Sequence, residues 1–319
     1  MRVAILGSGF GLYGYLPAIA VGCRQHVVLP ERYRERMRLR ADVGDLTDSV
    51  EWAASDDAML ERAEALVISQ RPADQVDRVR DCLCRQSIAG LILEKPLAPD
   101  PAQAIRLLEE IEGSRKRFCI GYVFRYTEWG GTLLSLARNL TGNIHIDWYF
   151  RAHHYAVGAK NWKRRMSTGG GALRFYGIQL IALLAEVGYN QTVSSCIGAE
   201  APDEAETWRA VITGTGLPEC HINVDTNSAD KLFRVGMEHA PGGKRLSFML
   251  LDPFDTAEAE GRFDARVAML TEHCQSFFQK RSTTGDSYAR SITLWHEIEA
   301  KTRLERRPSR SVSGPASSS

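Results

Sequence analysis

Gly7-Ser8-Gly9-Phe10-Gly11 follows the short apolar run Val3 to Leu6 and leads into a helical pattern through Leu16 and Ile19. Glycines at such a junction let the backbone turn sharply and approach a pyrophosphate, whose charge meets the amides of a helix N-terminus. A G-x-G alone is a weak signal, but the strand before it and the helix after it point to a dinucleotide. The third glycine of the fingerprint belongs at position 12, which is Leu, and Gly11 stands one place early. The competing reading is a tight strand-to-helix turn that binds nothing. Glu31 follows the next apolar run, where a carboxylate would bridge the ribose hydroxyls of NAD. Arg32 and Arg34 beside it would instead receive the 2′-phosphate of NADP. The reading leans to NAD, against the plainer alternative of a solvated first helical turn.

A second group of polar and aromatic side chains lies at His153-His154-Tyr155, followed by Lys160, Trp162, Lys163 and Arg164. Such a cluster can bind an anionic sugar, a nucleotide sugar or a carboxylate. It can equally be a solvated basic loop or a contact between subunits. The other histidines (His26, His145, His221, His239, His273, His296) stand singly without ligand spacing and read as structural, so no metal site is expected.

Around these residues is an ordinary globular chain. Its 319 residues allow about two domains. Forty Lys and Arg against 39 Asp and Glu leave a net charge of +1, without the basic excess that a nucleic-acid binder needs. The seven cysteines form no C-x-x-C pair and read as free thiols of a reducing cytoplasm. No secretory leader is evident, no apolar run has the length of a membrane span, and the expected location is cytoplasmic.

The elements that must position the candidates follow from patterning. Val3 to Leu6, His26 to Leu29, Ala65 to Ile68, Gly90 to Leu93 and Phe118 to Gly121 are too apolar for half-solvated strands and read as strands buried on both faces of a parallel sheet. Between them, Pro72 opens a helix with Val76, Val79 and Leu83 inward. Asp100 caps another, with Pro101 first and Ile105, Leu108 and Ile111 on one face. The alternation predicts a doubly wound α/β domain over residues 1–122. Residues 123–305 read as an α+β domain with a largely antiparallel open sheet: a helix near Trp129 to Leu140, a strand from Asn143 to Arg151, and a long apolar helix from Gly169-Gly170-Gly171 to about Val187. Five further strand patterns then lead to two closing helices, Phe263 to Gln279 and Asp286 to Thr302. Residues 306–319, rich in Ser, Arg, Pro and Gly, read as a disordered tail.

In their order, Gly7-Ser-Gly-Phe-Gly, Leu16-Pro17-Ala18, Glu94-Lys95-Pro96-Leu97-Ala98, Gly121-Tyr122-Val-Phe-Arg125-Tyr126 and Gly169-Gly-Gly171-Ala-Leu173 resemble the glucose-fructose oxidoreductase and inositol dehydrogenase (Gfo/Idh/MocA) family. The resemblance covers residues 1 to about 190. It implies a Rossmann domain, then a sheet domain that mediates homodimer or homotetramer contacts, and NAD(P)-dependent oxidation or reduction of a carbinol or keto group on sugars, inositols or nucleotide sugars. Lys95 then matches the lysine that hydrogen-bonds the reacting oxygen, where a fixed cation stabilises developing negative charge. Pro96 shapes the strand end. Gly7, Gly9, Phe10, Gly11, Glu31, Arg32, Ser69, Glu94, Lys95 and Pro96 make up the expected cofactor set. Tyr122 and Arg125 match positions lining the substrate cleft, or else pack the hinge, and His153, His154, Trp162 and Lys163 complete the expected substrate set.

One departure stands out. The family carries an Asp and, one turn later, a His on the helix after the glycine run, and the matching positions here are Phe175 and Gln179. Neither can serve as a general base. Gln75 likewise replaces a frequent His. The catalytic set therefore becomes Lys95, Gln179 and Tyr176, with His153, His154 and Tyr155 as further candidates for proton carrier. Three readings stay open: an oxidoreductase on a sugar-like small substrate, a non-catalytic descendant binding a nucleotide or a protein partner, and an imine or keto reductase that needs no His base.

Overall fold

A computed structural model describes residues 1–201, 203–240, 243–255, 261–279 and 285–306 of the chain. Six strands form a wholly parallel sheet: β1 (Arg2–Leu6), β2 (His26–Pro30), β3 (Glu51–Ala53), β4 (Ala65–Ile68), β5 (Gly90–Leu93) and β6 (Arg117–Ile120), in the order β3-β2-β1-β4-β5-β6. The order reverses between β1 and β4, which opens a crevice at the carboxyl ends of the strands, where ligands of such sheets bind. Val3 to Leu6 and Ala65 to Ile68 are fully buried, as continuous apolar runs demand. β3 was not anticipated, because its Glu-Trp-Ala carries no apolar run.

Helices cover the sheet as patterned. Pro72–Leu83 buries Val76 and Val79, with Cys82 taking the inward place and Leu83 half-buried. In Pro101–Gly113 the Asp100 carboxylate accepts from the Gln103 amide at 2.8 Å, and Leu108 and Ile111 are buried while Ile105 is only partly so.

The second sheet has seven strands: β7 (Ile144–Arg151), β8 (Gln191–Ala199), β9 (Ala205–Thr213), β10 (Cys220–Asp225), β11 (Asn227–Ala240), β12 (Lys244–Leu250) and β13 (Thr302–Arg306), in the order β12-β11-β7-β10-β9-β8-β13. The pairs β7/β10 and β8/β13 are parallel and the rest antiparallel. β13 corrects the sequence reading, which ended a helix at Thr302 and began the tail at Arg306. The helix Gly285–Ala300 stops two residues earlier, and after Lys301 the five residues of β13 pair with β8 as a charged edge strand. The rest of the expected tail, 307–319, lies outside the described residues, as does the His239 side chain.

The helix Ala172 to Val187, π-wound over Ala172–Gly177 and α over Ile178–Val187, packs on this sheet, and Gly177 makes room for the Trp208 ring. The stretch Met166–Val187 is long and apolar enough to cross a membrane by length and composition, but 78% of its apolar window is buried inside the protein. The two closing helices return to the first half. Arg266–Phe278 packs beside the Gly11–Gly22 helix, with Phe277 over Gly90 and the Arg117 side chain donating to the Phe277 carbonyl, and Gly285–Ala300 lies along Pro101–Gly113.

Candidate functional site

The carboxyl ends of four strands are stitched together by backbone hydrogen bonds: Ser69 N to Leu6 O at 2.7 Å, Glu94 N to Ile68 O at 3.0 Å and Gly121 N to Leu93 O at 2.8 Å. This brings Gly7, Ser69, Glu94, Lys95 and Gly121 to the floor of one cleft of about 1150 Å³. The opposite wall is built from the end of β7, residues 162–163, the start of the Ala172–Val187 helix, residues 252–255 and residues 264–266.

The glycines do different work. A Cβ at Gly7, whose φ is +131°, would overlap the Ser69 carbonyl oxygen, and one at Gly11 would crowd Ile5 against β1. A Cβ at Gly9 meets nothing within 4 Å, so Gly9 is the open face of the cradle. The Gly7 amide donates to the Tyr33 hydroxyl at 3.1 Å, and the Arg36 guanidinium donates to Ser8 Oγ at 2.9 Å. Both Tyr33 and Arg36 line the cleft, whereas Glu31 and Arg32 do not. Glu31 pairs with Arg34 at 2.8 Å, and Arg32 pairs with Asp56 at 2.8 Å while lying over the Tyr33 ring. Gln70 Oε1, also in the cleft, is buried with no partner among the described residues. An open glycine, a roomy crevice at the strand switch and an orphaned buried carbonyl fit a bound dinucleotide.

Lys95 extends from the end of β5, and its ammonium donates to the Phe175 carbonyl oxygen at 2.7 Å and sits 4.0 Å from the centre of that ring. The segment bearing it is fixed from below. Fully buried Gln75 donates through Nε2 to the carbonyls of Glu94, Leu97 and Pro96 at 2.8, 3.1 and 3.3 Å, and its Oε1 accepts from the Glu94 amide at 3.0 Å. From the side, Arg174 binds Glu299 through two hydrogen bonds and donates to the Pro99 and Met166 carbonyls. Burial pushes the Lys95 pKa down to about 8. Glu94 opposes that shift, and Arg266 and Lys163 add to it.

The expected catalytic partner Gln179 reaches the cleft wall, but its head group is committed. Nε2 donates to the Gly121 carbonyl at 3.0 Å and Oε1 accepts from the Val123 amide at 3.0 Å. Its place is that of a buried clamp on the β6 exit. Tyr176 lines the cleft among Phe150, Trp148 and Phe175, and burial raises its pKa.

The basic loop divides. Trp162 and Lys163 face the cleft, with Trp162 edge-on to Phe175 and Lys163 5.3 Å from the Phe175 ring centre. Gly170 allows this, because a Cβ there would overlap the Trp162 carbonyl oxygen. Exposed His153 is at the cleft rim. His154 is buried, and burial, with Arg164 next, pushes its pKa down to about 4. Arg164 donates to the His154 carbonyl and lies over the Tyr155 ring. Tyr122 and Arg125 are not in the cleft. They line a separate small cavity with His273, where Arg125 pairs with Glu186 at 3.0 Å.

Sequence reasoning missed Tyr33, Arg36, Arg174 and Arg266, none of which sits in a motif. Arg266 enters from the closing helix, held by Asp264 at 2.7 Å through each of two hydrogen bonds, with its guanidinium 4.3 Å from the Phe10 ring centre. Among the described residues no group of three His, Cys, Asp or Glu side chains is placed to hold a metal.

The architecture is a parallel Rossmann-type sheet joined to a mixed, mostly antiparallel sheet. No family model and no curated protein matches the chain. Among solved structures it is similar to KijD10, a 3-ketoreductase from Actinomadura kijaniata in complex with NADP and TDP-benzene, with a TM-score of 0.69, 14% identity and 97% and 99% of the two chains covered. It is also similar to the WlbA dehydrogenase from Bordetella pertussis in complex with NADH and UDP-GlcNAcA, with a TM-score of 0.70, 16% identity and 94% and 96% covered. A third is a myo-inositol dehydrogenase from Corynebacterium glutamicum, with a TM-score of 0.68, 15% identity and 95% and 96% covered. At these identities the likeness is one of fold.

Proposed function

We propose that the protein is an NAD(P)-dependent oxidoreductase acting on a carbonyl or carbinol carbon of a small sugar-like or nucleotide-sugar-like substrate. The observation that carries this reading is the placement of the Lys95 ammonium and the open Gly9 cradle on one cleft floor. The fold-level neighbours, crystallised with NADP or NADH, support it.

A bound nicotinamide would supply or accept the hydride. Gly7, Gly9 and the following helix would hold its pyrophosphate, and Tyr33 and Arg36 would face the ribose end. Lys95 would receive the substrate oxygen, stabilise negative charge as it develops there, and give it a proton in the reducing direction. Gln75 and Arg174 hold the segment and the helix that aim it. With Gln179 committed to the backbone and His154 held neutral, this chain's own groups favour a reductase that needs no histidine base over a His-dependent polyol dehydrogenase.

The expected homodimer or homotetramer through the second sheet belongs to the same proposal and rests on the family resemblance of the sequence. A cytoplasmic location and the division at residue 122 are proposed on sequence grounds. The test is direct: titrate NADH and NADPH into the purified protein by fluorescence. Saturable binding of neither at millimolar concentration overturns the reading.

A further inference from the structure

Two ammonium groups address one aromatic ring. Lys95, from the end of β5, and Lys163, from the loop packed on Gly170, stand 4.0 and 5.3 Å from the centre of the Phe175 ring. Both line the cleft, and among the described residues neither is held by an ion pair: Lys95 donates to a carbonyl, and Lys163 has only the ring. Arg266, the third cation nearby, is already matched by its two hydrogen bonds to Asp264.

The carboxylate whose field reaches both lysines is Glu94. The two ammonium groups also feel Arg266, and burial pushes the Glu94 carboxyl towards its neutral form, so positive charge is in excess where the two lysines meet the ring. A ring face attracts cations but does not neutralise them, and buried like charges disfavour one another until an anion joins them. Burial pushes the Lys163 pKa down, with Arg266 adding to it, as expected of an ammonium waiting for a counter-charge.

The geometry points to a substrate that is itself an acid: its reacting oxygen lies on Lys95 and its carboxylate on Lys163, the two groups spanning the Phe175 ring. This rests on the oxidoreductase reading for the role of Lys95. The proposal commits to a carboxylate because one ammonium group, that of Lys163, remains to meet it once Lys95 holds the reacting oxygen.

The experiment compares D-glucuronate, D-glucose and glucose 6-phosphate by calorimetry, on protein saturated with the nicotinamide cofactor it binds and on cofactor-free protein. Glucuronate should bind at least tenfold more tightly than glucose and more tightly than the phosphate ester. Lys163→Gln should erase the difference between glucuronate and glucose, Lys163→Arg should retain it, and cofactor affinity should be unchanged in both variants. Equal binding of glucuronate and glucose, binding of neither, preference for the phosphate ester, or a preference that survives Lys163→Gln overturns the inference. Failure of NADH and NADPH to bind is a different result: it overturns the oxidoreductase reading, while the cofactor-free titration still decides whether Lys163 reads a carboxylate.

Discussion

The Lys95 ammonium donates to the carbonyl oxygen of Phe175 at 2.7 Å, joining the end of β5 to the Ala172–Val187 helix across the cleft. A group so held is aimed before any substrate arrives, and preorganisation of this kind is what lets a cation stabilise a developing oxyanion without reorganising. Lys95→Ala should therefore lower the single-turnover rate by a factor on the order of 10² or more with cofactor affinity nearly unchanged. An unchanged rate would make the lysine structural.

The pH profile follows from the same residue. Reduction needs the ammonium form, so its rate should fall as pH rises through about 8, the depressed pKa of Lys95, and oxidation should rise over the same range. His154, held near 4, contributes no limb close to pH 6.5. A stopped-flow profile with a limb near 6.5 that survives His153→Ala would place the proton carrier elsewhere.

Gly7 and Gly9 should separate folding from binding. Gly9→Val places its side chain in open space where a pyrophosphate must approach, so cofactor binding should collapse while the thermal unfolding midpoint stays within a few degrees. Gly7→Ala drives a Cβ into the Ser69 carbonyl and should lower the midpoint itself. Differential scanning fluorimetry with a cofactor titration reads both.

Gln179 pairs two buried backbone groups, so Gln179→Leu should cost roughly 2–4 kcal/mol in urea unfolding, the penalty of leaving a donor and an acceptor unsatisfied. Phe175→Asp with Gln179→His, which restores the family pair, should pay a similar cost and gain no oxidation of a polyol. A gain would show that residue 179 still faces a substrate hydroxyl.

Among the described residues Arg36 meets only the Ser8 hydroxyl and faces the cleft, whereas Arg32 and Arg34 are paired to carboxylates. Arg36→Ala should weaken NADPH binding about tenfold, as loss of one charge-assisted contact implies, and leave NADH nearly unaffected. Equal losses would assign Arg36 to the loop rather than to a 2′-phosphate.

What the sequence determined by itself was everything whose cause is local. A strand buried on both faces must be apolar throughout, so β1, β2, β4, β5 and β6 are visible as runs. Asp100 before Pro101 marks a helix start, and Gly7, at a positive φ, marks a turn that only glycine makes easily. The same locality exposed Phe175 and Gln179 as unable to move a proton. β3 and β13 were lost because a three-residue strand has no period and a charged edge strand has no buried face to show. The tertiary structure decided which side chains share the cleft. Arg266 meets Phe10, Gln75 grips Glu94 and Lys163 shares a ring with Lys95 only because two sheets and a returning helix bring distant segments together. It also decided that Gln179 would spend its amide on Gly121 and Val123 and that Tyr122 and Arg125 would line another cavity. Hydrogen-bond partners and charge neighbours are set by spatial distance, and composition and period carry no record of it.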